Sequence, residues 1–179
     1  MSLQVSFRVV GLYCYFENLQ VPNVDPNSTV KEVMDQIVNM NLNFDYKTIE
    51  FGDNKKLLVD EMSYTFTDQS RVPYNSSTPS NGPRDLSNVI AGTSLVWQYY
   101  RSATGSFDGG APCEIKYITS GQPSFADTPM NAFDSRFGAI PPNFNISTYN
   151  LTWRIVQIQM APELQARFMA AKAAAYAAR

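Results

Sequence analysis

The chain begins with an alternation of apolar and polar residues in the segment LQVSFRV (3–9). A period of two places every second side chain on one face of a strand, so we predict a strand whose apolar face lies in the core. After Gly11, the aromatic and aliphatic residues of 12–21 predict a returning strand. Pro22 and Pro26 are then expected to end this sheet region, because proline cannot donate a hydrogen bond to a ladder.

A helical period follows in the segment TVKEVMDQIVNM (29–40). Counted from Val30, apolar residues fall at i, i+3, i+4, i+7 and i+8, which is one stripe of an α-helix. Thr29 and Glu32 have the spacing of a capping box, in which each side chain accepts a hydrogen bond from the other residue's backbone amide. We therefore predict an amphipathic helix that begins after Thr29 and ends in the polar segment 39–43.

Further alternating segments predict additional strands beyond this helix. They lie at 47–59, where a Gly-Asp-Asn turn separates two short strands, and at 62–67, 93–101, 113–119 and 149–160. The composition of 68–92 predicts a loop. The segment 120–148 has no periodicity but contains Phe125, Phe133, Phe137 and Phe144. We expect these phenylalanines either to cover the open side of the sheet or to form a protein-contact surface.

Pro162 opens a final alanine-rich segment that we predict to be a helix, with Glu163 near its start as the helix dipole favours. One predicted stripe contains Leu164, Phe168, Ala171 and Ala175, and a neighbouring face contains Met169, Lys172 and Tyr176. A helix of this length is marginal alone in water. It should therefore pack either on its own domain or in a groove of another subunit or protein.

Three segments, in this order, resemble those of ubiquitin-like β-grasp proteins. VPNVDPNSTVKEVMDQIV (21–38) resembles the entry into their helix, with the acidic residue, the proline, the N-cap threonine and the apolar spacing. KTIEFGDNKKL (47–57) resembles their third strand and turn, and RDLSNVIAGTSLVWQYYR (84–101) resembles the segment that leads into their last strand. The resemblance covers roughly residues 2–101, with an insertion near 60–82.

This resemblance implies a protein-recognition module, or else a conjugated modifier or sulfur carrier. The apolar recognition patch of ubiquitin would map to Glu50, Val96 and Gln98, of which two are polar. Conjugation or sulfur transfer would need a mature chain that ends at Gly109-Gly110. The residues themselves favour a hairpin turn at this pair, because Asp-Gly and Gly-Gly tolerate positive φ angles and the alternating segment CEIKYIT (113–119) follows.

Charge and composition remove several classes of function. The chain has 14 Lys and Arg, 16 Asp and Glu and a net charge of −2, without the basic stripe that nucleic-acid binding needs. The sequence contains neither an apolar stretch of transmembrane length nor the pattern of a signal peptide. We therefore expect a cytoplasmic protein that binds neither nucleic acid nor membrane. We also expect Cys14 and Cys113 to be buried free thiols.

The chain contains no histidine, which removes the usual general base near neutral pH and the commonest metal ligand. It has no motif for a zinc site, a phosphate-binding loop or a dinucleotide. Asp60 and Asp127 remain as a carboxylate pair that could do acid–base chemistry if the fold brought them together. We expect a protein without catalytic residues, metal or cofactor, and the sequence leaves small-molecule binding open.

Together these patterns predict an α+β fold: a β-grasp-like mixed sheet with one main packed helix, an added C-terminal hairpin and strand extension, and a terminal alanine-rich helix. The expected domains are a ubiquitin-like domain over 1–101, a β extension over 102–160 that packs on it, and the helix over 161–179.

The predicted function is non-catalytic binding of another protein or of a second copy, as an adaptor or as a component or inhibitor of a larger assembly such as a phage particle. One alternative is a processed modifier or sulfur carrier that ends at Gly110. The other is an enzyme with a carboxylate acid–base site. The candidate partner-binding residues are Leu164, Phe168, Met169, Tyr176, Phe125, Phe133 and Phe137.

Overall fold

The computed structural model describes residues 2–10, 15–40, 44–65, 71–75, 93–116, 124–132 and 140–178. Within them the protein has eight strands and two helices. In chain order these are β1 (Leu3–Val10), β2 (Tyr15–Val24), α1 (Val30–Asn39), β3 (Phe44–Phe51), β4 (Lys56–Thr65), β5 (Arg71–Asn75), β6 (Thr93–Phe107), β7 (Cys113–Lys116), β8 (Phe144–Gln159) and α2 (Pro162–Ala177). The fold is α+β, as predicted, but β5 lies inside the segment 68–92 for which a loop was expected.

The strands form a five-stranded mixed sheet and a three-stranded sheet. The order in the larger sheet is β2-β1-β8-β6-β7, and the order in the smaller one is β3-β4-β5. β1 pairs with β8 in parallel and with β2 in antiparallel orientation. The strand beside β1 is thus β8, and the segment 93–101, which the resemblance assigned to the last strand of a β-grasp, begins β6. β2 continues past Pro22 to Val24, which is possible because it is an edge strand.

The chain divides into two compact units. Unit 1 consists of Met1–Val10, Tyr15–Gln36 and Gln98–Arg154. Unit 2 consists of Gly11–Cys14, Ile37–Trp97 and Ile155–Arg179. β6 and β8 contribute residues to both units. The expected domain boundary between 101 and 102 lies within β6, and unit 1 contains residues from both sides of it.

The period-two prediction for β1 is confirmed, because Val5, Phe7 and Val9 are buried. In β8 the same alternation buries Leu151 and Trp153. Each such apolar side chain contributes about 1.5–3 kcal/mol when it is fully removed from water. The predicted stripe of α1 is also buried at Val30, Val33, Met34 and Ile37, while Val38 at its margin is half-buried.

The capping box at the start of α1 is confirmed. The Thr29 amide donates to Glu32 Oε2 at 2.8 Å, and the Glu32 amide donates to Thr29 Oγ1 at 3.2 Å. The amides of Val30 and Lys31, which lie between these two residues, donate to backbone carbonyls of a distant segment. Val30 donates to Thr128 at 2.9 Å, and Lys31 donates to Phe125 at 3.0 Å. The amides that a helix start leaves without intrahelical partners are therefore satisfied within unit 1.

The segment around Phe125 is held against α1 and the sheet. Phe125 is buried, and its ring meets that of Trp153 edge-on at a centroid distance of 5.5 Å. Phe125 thus covers the sheet, which is the first of the two roles expected for this segment. Phe144 lies in β8 and is also buried. Phe133 and Phe137 fall outside the residues that the structure describes.

The glycine pair after β6 forms the predicted hairpin turn. Asp108 and Gly109 have φ angles of 41° and 78°, and the Gly110 amide donates to the Phe107 carbonyl at 2.6 Å. Positive φ at both central positions is typical of a type I′ turn, whose twist matches that of the flanking strands. The turn joins β6 to β7, which pair antiparallel.

Candidate functional site

Helix α2 packs on unit 2 through one apolar face. Phe168 belongs to a buried cluster with Ile49 and Met160. Its ring meets that of Phe51 edge-on, with the centroids 5.3 Å apart and the planes at 81°. Half-buried side chains surround this cluster, namely Phe51, Leu58, Val96, Ile158 and Ala175. Of the two packing modes predicted for the helix, docking on its own chain is the one observed.

A buried ion pair fixes the same face of α2. Lys172 Nζ lies 2.8 Å from Asp60 Oδ1, and the two side chains are 2% and 0% exposed. The ammonium also lies 4.8 Å from the centre of the Phe168 ring, within the range of a cation–π contact. Charged side chains are almost never buried to this extent unless they are paired. Lys172, assigned from the sequence to a neighbouring face, is therefore part of the packed face.

A β-bulge explains how Asp60 comes to point inward. In the pairing of β3 with β4, Lys47 is opposite Glu61 and Thr48 is opposite Val59, so Asp60 is the extra residue. A bulge breaks the alternation of faces and redirects the side chain at that position. Val59 and Asp60 are accordingly both buried although they are adjacent in the strand.

The opposite face of α2 is open. Met169 lies on this face and is 46% exposed, whereas Leu164, 41% exposed, lies in the first turn four residues before Phe168 and so on the packed side of the helix. Four alanines are exposed as well, at 166, 170, 173 and 177. We call Met169 and these four alanines the outer face of α2. Near its N-terminal end, Arg167 pairs with Asp53 at 2.9 Å across exposed side chains, an arrangement that contributes at most about 1 kcal/mol.

The structure separates the predicted partner-binding residues into two groups. Leu164 and Met169 are exposed, and Tyr176 is half-buried. Phe168 and Phe125 are buried, in unit 2 and unit 1 respectively. Their burial removes both rings from any partner surface, because each is already in contact with the apolar core of its own unit.

A polar ladder crosses the larger sheet within unit 1. Asn150 Nδ2 donates to Ser102 Oγ at 3.0 Å and to Thr104 Oγ1 at 2.9 Å. The Ser102 hydroxyl donates in turn to a carboxylate oxygen of Glu114 in β7. Asn150 and Ser102 are buried, and burial of an amide or hydroxyl is favourable only with such partners. The sequence signal for this ladder is the spacing of Ser102 and Thr104, two residues apart in β6, from which no prediction was made.

Residues singled out for other chemistry are placed as follows. Asp60 is engaged by Lys172 in unit 2, and Asp127 is exposed in unit 1. Cys113 is exposed, so the expectation of a buried thiol is wrong there. The reason is that Cys113 begins β7, the last strand of its sheet. Cys14 falls outside the described part of the chain.

The three positions of the expected ubiquitin-type patch do not form one apolar surface. Glu50 is exposed, and Val96 packs against the cluster around Phe168. Gln98 accepts a hydrogen bond from the Tyr100 hydroxyl at 3.0 Å.

In the neighbouring strand, burial raises the pKa of the Tyr149 phenol above its ordinary value, because an apolar environment disfavours the phenolate.

Comparisons with protein-family models, with curated proteins and with solved structures returned no match to this chain. Neither helix among the described residues is both long enough and apolar enough to span a bilayer.

Proposed function

We propose that the protein is a non-catalytic protein-binding module that contacts its partner through the outer face of α2. The observation that supports this most directly is the exposure of Met169 and the alanines beside it on a helix whose other face is anchored by Phe168 and Lys172. An anchored helix loses little conformational freedom when it binds, and this lowers the entropic cost of association.

The chemistry of the outer face favours an apolar helix of the partner protein as its ligand. Ala166, Ala170, Ala173 and Ala177 recur at i, i+4, i+7 and i+11, so one side of α2 has no side-chain atoms beyond Cβ. Small residues let the axes of two helices approach to the short end of the usual range of about 8–10 Å. Charges flank only the N-terminal end, at Glu163 and Arg167, so we expect apolar burial to drive this contact.

The proposed fold relationship is a β-grasp-like unit 1 in which β8 is the last strand. Its support is the order β2-β1-β8-β6-β7, the parallel pairing of β1 with β8, and a helix that follows the first hairpin. In this arrangement, residues 37–97 are mostly an insertion, which makes unit 2 an elaboration of the smaller fold.

The same arrangement argues against a mature chain that ends at Gly110. Such a chain would lack β8, the strand between β1 and β6, together with the buried side chains of Leu151 and Trp153. A sheet that loses a strand with two neighbours exposes the ladder edges of both. We therefore place the function in the intact chain, as an adaptor or an assembly component.

A photocrosslinking experiment tests the proposed contact. The photoreactive residue benzoylphenylalanine replaces Met169 in one variant and Lys55, exposed on the β3–β4 turn, in a matched control. After irradiation in cells that express the chain natively, a partner should crosslink at 169 and not at 55. That partner is then purified, and its affinity for the intact protein is measured by calorimetry.

The purified pair gives the decisive comparison. Met169→Glu places a charge in the apolar contact and should raise the Kd at least about tenfold. Lys55→Glu, which is also an exposed substitution by glutamate, should leave the Kd unchanged. The proposal is overturned if the two variants bind equally well, or if crosslinking at 169 finds no partner.

A further inference from the structure

Strand β7 lies at the end of the five-stranded sheet. Its neighbour in the described part of the chain is β6, with Ser102 opposite Lys116 and Gly105 opposite Cys113. The side chains of Cys113, Glu114 and Lys116 are exposed. An edge strand presents a row of backbone amides and carbonyls that can pair with another strand.

The charges of β7 are self-complementary. Glu114 and Lys116 are two residues apart and therefore project on the same face of the strand. If a second copy of β7 pairs antiparallel with the first and Ile115 faces its own counterpart, Glu114 of each copy lies opposite Lys116 of the other. Two oppositely charged cross-strand pairs form at once, and such pairs stabilise antiparallel strands.

The Glu114 carboxylate keeps an acceptor for this contact. The Ser102 hydroxyl of β6 donates to one of its oxygens, and the second oxygen can accept from a lysine of another strand. Natural edges are commonly protected by charged side chains or by a proline on the edge. β7 has Pro112 just before it and, between 113 and 116, one charge of each sign, so two copies attract rather than repel.

We propose that β7 pairs with β7 of a second copy around a twofold axis at Ile115, extending the sheet across the dimer. The occupant is a second copy because the charge pattern of β7 is complementary to itself under the twofold symmetry that most homodimers use. The strand has four residues, so it spans only about 13 Å, and the dimer should be weak and concentration-dependent. This proposal does not rest on the outer face of α2, which belongs to unit 2.

Sedimentation velocity of the full chain from micromolar to millimolar concentration tests the proposal. The intact protein should show a reversible monomer–dimer equilibrium. Glu114→Lys places lysine opposite lysine twice, and Lys116→Glu places glutamate opposite glutamate twice. Each variant should raise the dimer Kd about tenfold or more. Lys55→Glu changes the net charge as Lys116→Glu does, but at a residue that is not part of β7, and should leave the Kd unchanged.

A charge-swapped double variant and a mixture of the two single variants distinguish loss of charge pairing from misfolding. The swapped variant Glu114→Lys/Lys116→Glu restores both opposite pairs and should dimerise like the intact chain. An equimolar mixture of the two single variants should form a heterodimer more tightly than either variant dimerises alone. The proposal is overturned if the intact chain stays monomeric throughout, if the single variants dimerise normally, or if neither the swapped variant nor the mixture restores the dimer. Crosslinking at 169 in the earlier experiment is independent of all these outcomes.

Discussion

Lys172→Met is expected to destabilise unit 2 strongly, because it removes the ammonium that lies 2.8 Å from the buried Asp60 carboxylate. Removal of one partner from a buried ion pair typically costs about 3–5 kcal/mol, since the remaining charge stays desolvated. Domains of this kind have a total stability of about 5–15 kcal/mol. The substitution should therefore remove a substantial fraction of the free energy of unfolding.

The matched control lies on the same helix. Arg167→Met also replaces a cation by methionine, but the Arg167–Asp53 pair has side chains that are 55% and 95% exposed. Water already screens that pair, so its loss should cost less than about 1 kcal/mol. The difference between the two methionine variants isolates the effect of burial.

A double-mutant cycle tests the origin of the effect. Asp60→Val alone leaves the ammonium of Lys172 buried and should cost about as much as Lys172→Met. The double variant removes both charges and fills the space with apolar atoms, which in other buried pairs is close to neutral. The double variant should therefore be more stable than the sum of the single changes predicts, by about 2–3 kcal/mol or more.

Urea unfolding followed by circular dichroism and tryptophan fluorescence measures these free energies. Urea is preferred because guanidinium would screen the exposed control pair. The slope of free energy against urea concentration must stay the same among the variants, since a changed slope indicates a changed unfolded state or an intermediate. The reasoning is refuted if Lys172→Met costs no more than Arg167→Met, or if the cycle is additive.

Three further predictions concern unit 1. Thr29→Ala removes one side of the capping box and should cost about 1 kcal/mol in urea unfolding; an unchanged midpoint would contradict the role of the cap. Gly105→Ala adds a Cβ that would collide with the backbone carbonyl of Asn145, so thermal unfolding should show a loss of about 1–3 kcal/mol from overpacking. The pKa of Tyr149 is raised in the folded protein by burial. Its stabilising contribution is complete below the unfolded value of about 10 and is lost as pH rises through the folded pKa. Tyr149→Phe should accordingly remove a late step from the ultraviolet phenolate titration, and a loss of amplitude from the main transition near about pH 10 instead would show that Tyr149 ionises normally.

Several features could be predicted from the sequence because their causes are local. The period of β1, the stripe and capping box of α1, the turn at Gly109 and the helix after Pro162 all depend on residues at most a few positions apart. Steric limits on φ and ψ, together with the spacing of apolar side chains, are enough to specify such elements. The sequence could not predict that Leu164 is exposed and Phe168 buried, because both residues lay on the same predicted stripe.

Tertiary structure alone decided which distant segments meet. The segment 93–101 and β8 have similar sequence patterns, each typical of a strand with one buried face. The local pattern therefore does not indicate which of the two lies beside β1. Likewise Asp60 and Lys172 are ordinary polar residues in their own segments, and only the β-bulge and the packing of α2 bring them together. The physical reason is that periodicity specifies which face of an element is buried, whereas the partner that buries it is selected by the packing of the whole chain.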